Sequence, residues 1–157
     1  MATPEEIQAT RAFQAALRFI SYRPRSRQEI RSRLLRGFGQ HDVEQTLERL
    51  EKQGYVDDAM FARFWSESRE AHRPRSAGLV RWELVQRGVC HGVADEAVAS
   101  LDDASNAYRA GLVRVRKLGP LDYPTFRRRL DGYLKRRGFR SETTKRAIEQ
   151  LWRGQTS

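Results

Sequence analysis

The sequence predicts an all-α fold made of three tandem three-helix repeats, each of about fifty residues. Three observations predict it. First, landmarks recur in register. "RPRS" stands at 23–26 and again at 73–76, and a third proline, Pro124, follows in "DYPT". Gly-hydrophobic pairs recur at Gly37-Phe38, Gly88-Val89 and Gly138-Phe139, with a leucine thirteen residues after each glycine, at Leu50, Leu101 and Leu151. Three residues before these leucines stand Leu47, Val98 and Ile148. Second, apolar residues recur at helical spacing. Third, no strong period-two alternation appears. The repeats run over 4–54, 55–101 and 102–153.

The elements follow in order. A helix precedes each proline, with Phe13, Leu17 and Ile20 on one face in the first repeat, Phe61, Phe64 and Trp65 in the second, and Tyr108, Leu112 and Val115 in the third. Proline disfavours helix in the residue before it, so Arg23 and Arg73 end the first two of these helices. A shorter amphipathic helix comes next. In the third repeat Phe126, Leu130, Tyr133 and Leu134 share its face, while Arg127, Arg128, Lys135 and Arg136 mostly point elsewhere. Each glycine then fits a helix end, where a left-handed residue costs glycine little. The last helix carries Val43, Leu47 and Leu50 in the first repeat, and Ile148, Leu151 and Trp152 in the third.

Helix ends account for the other conspicuous strings. Ser26 begins a capping box with Glu29, three residues on, whereas Ser76 faces Leu79 at that offset and lacks the reciprocal partner. Asp57-Asp58 and Asp102-Asp103 precede helices. Paired carboxylates can bind a metal, but an N-terminal Asp also satisfies free N–H groups, and no third ligand lies at suitable spacing. Capping is the expectation for both pairs. It does not account for Arg25, Arg27 and Arg75, since positive charge at a helix N-terminus opposes the helix dipole.

Thirty Lys and Arg face twenty Asp and Glu, for a net charge of +10 in 157 residues. Such an excess favours polyanions or an assembly containing one. It is uneven. Residues 18–36 hold seven basic residues and one acid, a net of +6; residues 106–140 hold eleven basic residues and two acids, a net of +9; the remainder carries −5. Arginine dominates both blocks, and its planar fork suits phosphates and carboxylates. Tyr123, Phe126 and Tyr133 lie among the arginines of the second block, where core packing and base stacking compete as roles. The single cysteine, Cys90, excludes an internal disulfide. The start, MATPEEIQAT, lacks the basic and apolar regions of a secretory signal, and no apolar run approaches a membrane span, so a cytoplasmic protein without membrane contact is expected. There is no phosphate loop, zinc pattern or nucleophile elbow. No catalytic residue, cofactor or metal is expected.

"RPRSRQEIRSRLLRGF", "VEQTLERLEKQGYVDDAMFAR" and "RWELVQRGV" together resemble the RecX family of regulatory proteins. The likeness extends from about Leu17 to Leu151, with Gly54 to Ala62 its most specific string and the third repeat the loosest. The resemblance implies a curved, modular array of the three repeats. It also implies binding to the RecA filament on single-stranded DNA, with restraint of recombinase and coprotease activity. Ser76, Gly78 and Leu79 stand where relatives often carry Gly and basic residues, which implies less charge from the second repeat. The alternative is a basic helical-repeat protein that binds DNA directly, without RecA. Acidic residues on 42–51 disfavour insertion of that helix into a groove. In either case the expected contact residues are Arg23, Arg25, Arg27, Arg73 and Arg75, with Arg127, Arg128, Arg129, Lys135, Arg136 and Arg137 as a second surface. A monomer is expected.

Overall fold

A computed structural model describes residues 1–156. Among them the chain forms nine α-helices and no strand: α1 (Pro4–Tyr22), α2 (Arg27–Leu34), α3 (Gln40–Lys52), α4 (Asp58–His72), α5 (Ala77–Gln86), α6 (His91–Val98), α7 (Asp103–Val115), α8 (Tyr123–Arg136) and α9 (Ser141–Thr156). None of the described helices is long and apolar enough to cross a membrane. The all-α expectation holds.

Local chemistry sets the helix ends. Thr3 and Ser26 each form a complete capping box, with Glu6 and Glu29. Arg23 is fully extended after α1, as the proline behind it requires. Ser76 accepts the Leu79 N–H at 3.0 Å without a reciprocal partner. Pro124 differs from Pro24 and Pro74. It lies in the first turn of α8, where no N–H is needed, and Asp122 caps that helix.

The chain divides into two compact units, Met1–Phe64 with Leu84–Ala94, and Trp65–Glu83 with the chain from Asp95 onward. In the first unit α1, α2 and α3 enclose a core of Ala16, Ile30, Leu34, Val43, Leu47, Leu50 and Val56, with Phe38 packed against it. In the second, α7, α8 and α9 bury Phe126, Leu130, Leu134, Phe139, Ile148 and Leu151 against Ala107 and Ala110. The centres of the first faces are small residues. Ala12 and Ala16 are fully buried on α1, whereas Phe13, Leu17 and Ile20 are half-buried. Gly111 on α7 lies where a Cβ would meet Leu151 Cδ1 at 2.5 Å. Close approach of the helix backbones selects small side chains and moves the larger ones to the flanks. Phe64 is exposed rather than facing inward with Phe61. Leu101 lies beyond α6, which stops at Val98, so it is only half-buried.

Two contact sets occur fifty residues apart. In the first unit Ser26 Oγ donates to the Arg87 carbonyl at 2.7 Å, and a Cβ on Gly88 would meet Gln28 Cβ at 2.4 Å. In the second, the Ser76 N–H donates to the Arg137 carbonyl at 3.0 Å, and a Cβ on Gly138 would meet Ser76 Oγ at 2.4 Å. The end of α5 thus presses on the start of α2, and the end of α8 on the start of α5. Gly88 and Gly138 have φ of +85° and +89°, and their helices close with N–H groups five residues on, from Val89 to Leu84 and from Phe139 to Leu134. Gly37 departs from the expected left-handed conformation. Its φ is not positive, and Phe38 bonds back only four residues, to Leu34. One residue fewer separates Leu34 from Gly37, so the chain turns without a left-handed position. Gly54, at φ +79°, takes that role after α3.

Candidate functional site

The aspartate pairs serve helix ends, with a division of labour inside each pair. Asp57 caps its own helix by accepting the Ala59 and Met60 N–H groups, as Asp102 does for Ala104 and Ser105. The second member reaches elsewhere. Asp58 Oδ1 accepts the Arg27 N–H at 2.8 Å, and Asp103 Oδ1 accepts the Ala77 N–H at 2.8 Å. Asp58 therefore corrects the expectation that both residues of its pair cap the helix that follows them. No group of three or more His, Cys, Asp or Glu among the described residues is placed to hold a metal.

Most arginines of the first basic block have partners inside the chain. Arg23 forks onto Glu29, at 2.5 and 3.2 Å, and so braces the capping box. Glu29 is held below its ordinary carboxylate value: burial acts against this, and bonds from Arg23 and the Ser26 N–H outweigh it, helped by the charges of Arg23 and Arg25. Arg25 donates to the Phe19 carbonyl at 3.1 Å and stacks 3.9 Å from the Phe19 ring. Burial, ahead of repulsion from Arg23, lowers its pKa. Arg27 binds Glu51 and Glu44, and Arg31 binds Glu44 at 2.8 Å. The acidic face of α3 is thus matched by α2. In the second unit Glu83, nearly buried, takes Arg75 at 2.7 Å and Arg69 at 3.1 Å. Internal pairing accounts for charges that capping alone leaves unexplained.

The second block is built differently. Phe126, Leu130 and Leu134 turn one face of α8 into the core. At 100° per residue, the opposite side presents Arg128, Arg129, Lys135 and Arg136, with Arg127 on its flank. All five are exposed. Lys135 pairs with Asp131 at 3.0 Å; the other four carry no ion pair among the described residues. Arg137 caps the helix end and stacks 3.9 Å from the half-buried Tyr133 ring. Tyr133 therefore combines packing with a cationic contact. Arg73 is exposed. Of the expected contact residues, the structure gathers Arg127, Arg128, Arg129, Lys135 and Arg136 on one helix and ties Arg23, Arg25, Arg27 and Arg75 into internal contacts. Two cations at the end of α7, Arg114 and Lys117, were not singled out by the sequence pattern; their signal was the density of basic residues over 109–117.

Residues 12–50 match the family model for the first three-helix domain of RecX, and residues 57–98 that for the second. The chain belongs to the RecX family. "Regulatory protein RecX" of Prosthecochloris aestuarii is 35% identical over 142 residues, covering 90% of this chain and 93% of its own. The protein of the same name from Thermobifida fusca is 35% identical over 153 residues, covering 95% and 82%. The crystal structure of RecX from Lactobacillus salivarius superposes with a TM-score of 0.74 over 92% of this chain and 96% of that one, at 16% identity, so the likeness is one of fold. These relatives are RecX proteins by name, and two of the three names add that the protein is regulatory.

Proposed function

We propose that the chain regulates the RecA recombinase by binding the RecA filament on single-stranded DNA, and that it mainly restrains recombinase and coprotease activity. Membership of the RecX family supports the partner. The observation that carries the mode of contact is the exposed cationic face of α8, whose four arginines carry no ion pair among the described residues, because arginines with internal partners have less freedom to meet another surface. On this reading Arg73, Arg127, Arg128, Arg129, Lys135, Arg136 and Arg137 meet the filament. Arg23, Arg25, Arg27 and Arg75 hold helices in place and add to the positive field. Residues 4–54, 55–101 and 102–153 act as three repeats, and the protein works as a cytoplasmic monomer without catalytic chemistry of its own. The test is RecA ATPase and strand exchange on single-stranded DNA, with and without the protein. Inhibition is expected; unchanged rates at saturating protein would sink the proposal. A direct DNA-binding role without RecA is the second reading, favoured by the same exposed arginines. It predicts equal affinity for filament and bare DNA.

A further inference from the structure

A basic cleft lies within the second unit, where the ends of α7 and α8 meet the turn after α4. It has a volume of about 390 Å³ and is bounded by His72, Arg73, Arg114, Lys117, Tyr133 and Arg137, among others. No carboxylate lines it among the described residues. This sets it apart from the surroundings of Arg23, Arg27, Arg31, Arg69 and Arg75, which meet Glu29, Glu44, Glu51 or Glu83. Arg73 and Lys117 are exposed and carry no ion pair among the described residues. Arg114 is half-buried, and its Nε is buried without a hydrogen-bond partner among the described residues. The Arg114 and Arg137 guanidinium carbons lie 5.6 and 3.9 Å from the Tyr133 ring centre. Crowding of positive charge is felt nearby. Arg75 is pushed below its ordinary value by burial, opposed by Glu83, with Arg69, Arg137 and Arg73 adding repulsion.

Cations at helix C-termini have an ordinary explanation, since each end carries about half a negative charge. Three helices end around this cleft. One cation at each would answer the dipoles; four Lys or Arg side chains exceed them, and the unpartnered buried Nε is not explained by them at all. A cleft near the lower bound of small-ligand pockets, roughly 300 Å³, has room for a nucleotide-sized group but not for a duplex. The ring and the two guanidinium planes offer stacking surfaces of the kind that receive unstacked bases.

We propose that this cleft binds a phosphodiester of single-stranded nucleic acid directly, through Arg114, Lys117, Arg137 and Arg73, with the adjoining base at the Tyr133 stack. The proposal rests on the reading that single-stranded DNA is part of the partner, but its test needs no RecA. Binding of a labelled oligothymidine is followed by fluorescence anisotropy over a salt series. R73Q/K117Q removes two exposed charges and should weaken binding about tenfold at low salt. It should also lower the slope of log affinity against log salt by about 1.4, which is about 0.7 for each lost phosphate contact. R11Q/R146Q removes equal charge elsewhere and should move both by less than about twofold. R114K should retain binding that R114Q loses, with circular dichroism spectra and melting unchanged for the exposed pair. Affinity and slope unchanged in R73Q/K117Q would overturn the proposal. So would polyglutamate binding as tightly as the oligonucleotide and showing the same loss, which would assign the cleft to an acidic protein segment. RecA assays run in parallel separate the two ideas. A protein that binds oligonucleotide through the cleft yet leaves RecA untouched removes the filament reading and keeps this one.

Discussion

At the scale of single residues, equivalent letters in the repeat do different work. Gly138 and Gly37 occupy the same landmark, yet only Gly138 has a positive φ and a neighbour where a Cβ would stand. Gly138→Ala should cost about 1–2 kcal/mol from the left-handed backbone alone, and more from the clash with Ser76 and Leu79. Gly37→Ala meets nothing within 4 Å and should be neutral or stabilise by about 0.4–1 kcal/mol through the unfolded chain. Urea denaturation of the two variants measures both; equal destabilisation would contradict the assigned backbone. Glu29 makes a second prediction. Its folded pKa is depressed, so its contribution to stability is present above the unfolded value of 4.5 and is lost as pH falls through the lower folded value. Glu29→Gln should therefore be less stable near neutral pH and lose less stability on acidification. An acid-stability slope identical to that of the parent chain would refute the Arg23–Glu29 account. Asp58 has the opposite sign. Burial raises its pKa, opposed by the Arg27 N–H bond and charge, with Asp57 and Glu51 adding repulsion. Asp58→Asn keeps an acceptor and sheds a buried charge, so it should be better tolerated than Asp58→Ala, which loses a cap worth roughly 0.5–2 kcal/mol. Thermal melts of the pair decide the order.

At the scale of elements, each unit has its own three-helix core, α1–α3 in the first and α7–α9 in the second. Leu50 is fully buried in the α1–α3 core. Leu50→Ala should cost about 2–5 kcal/mol, a large share of the marginal stability of a domain. Calorimetry that showed no shift in the melting temperature would mean the α3 face is misassigned. The start of α2 is clasped from two sides, by Asp58 at its first N–H and by the end of α5 at Ser26; the start of α5 is held likewise by Asp103 and the end of α8. These contacts give a physical reason for the fifty-residue interval. A serine or N–H at one helix start must meet a carbonyl and a left-handed glycine at a later helix end.

At the scale of the whole molecule, the net charge of +10 overstates what is available to a partner. The arginines of 18–36 are largely committed to Glu29, Glu44, Glu51 and the Phe19 ring, whereas α8 presents exposed guanidiniums with a single acid, Asp131, along its length. Reversing Arg127, Arg128 and Arg129 to Glu should weaken binding to RecA filaments on single-stranded DNA and flatten its salt dependence, with helical content unchanged. Binding measured over a salt series checks this. Retention of full affinity with both basic blocks reversed would leave the arginines as a solvated face.

Helical periodicity, prolines and capping residues determined the all-α fold, the helix order and most boundaries by sequence alone, because those signals act within a few residues of where they are written. The Ser26–Glu29 box and the apolar faces of α3 and α8 are of this kind. The motifs that carry the family resemblance were equally legible. Only the tertiary structure decided which arginines are spent internally, since Glu83 lies eight residues from Arg75 and Glu51 lies twenty-four from Arg27, and no local pattern pairs them. It also decided that Asp58 serves α2 rather than only α4, that Gly37 needs no left-handed backbone, and that alanines and Gly111 lie at the closest helix contacts. Each depends on what packs against the residue from a distant part of the chain. A sequence displays charge and spacing; burial and partnership belong to the fold.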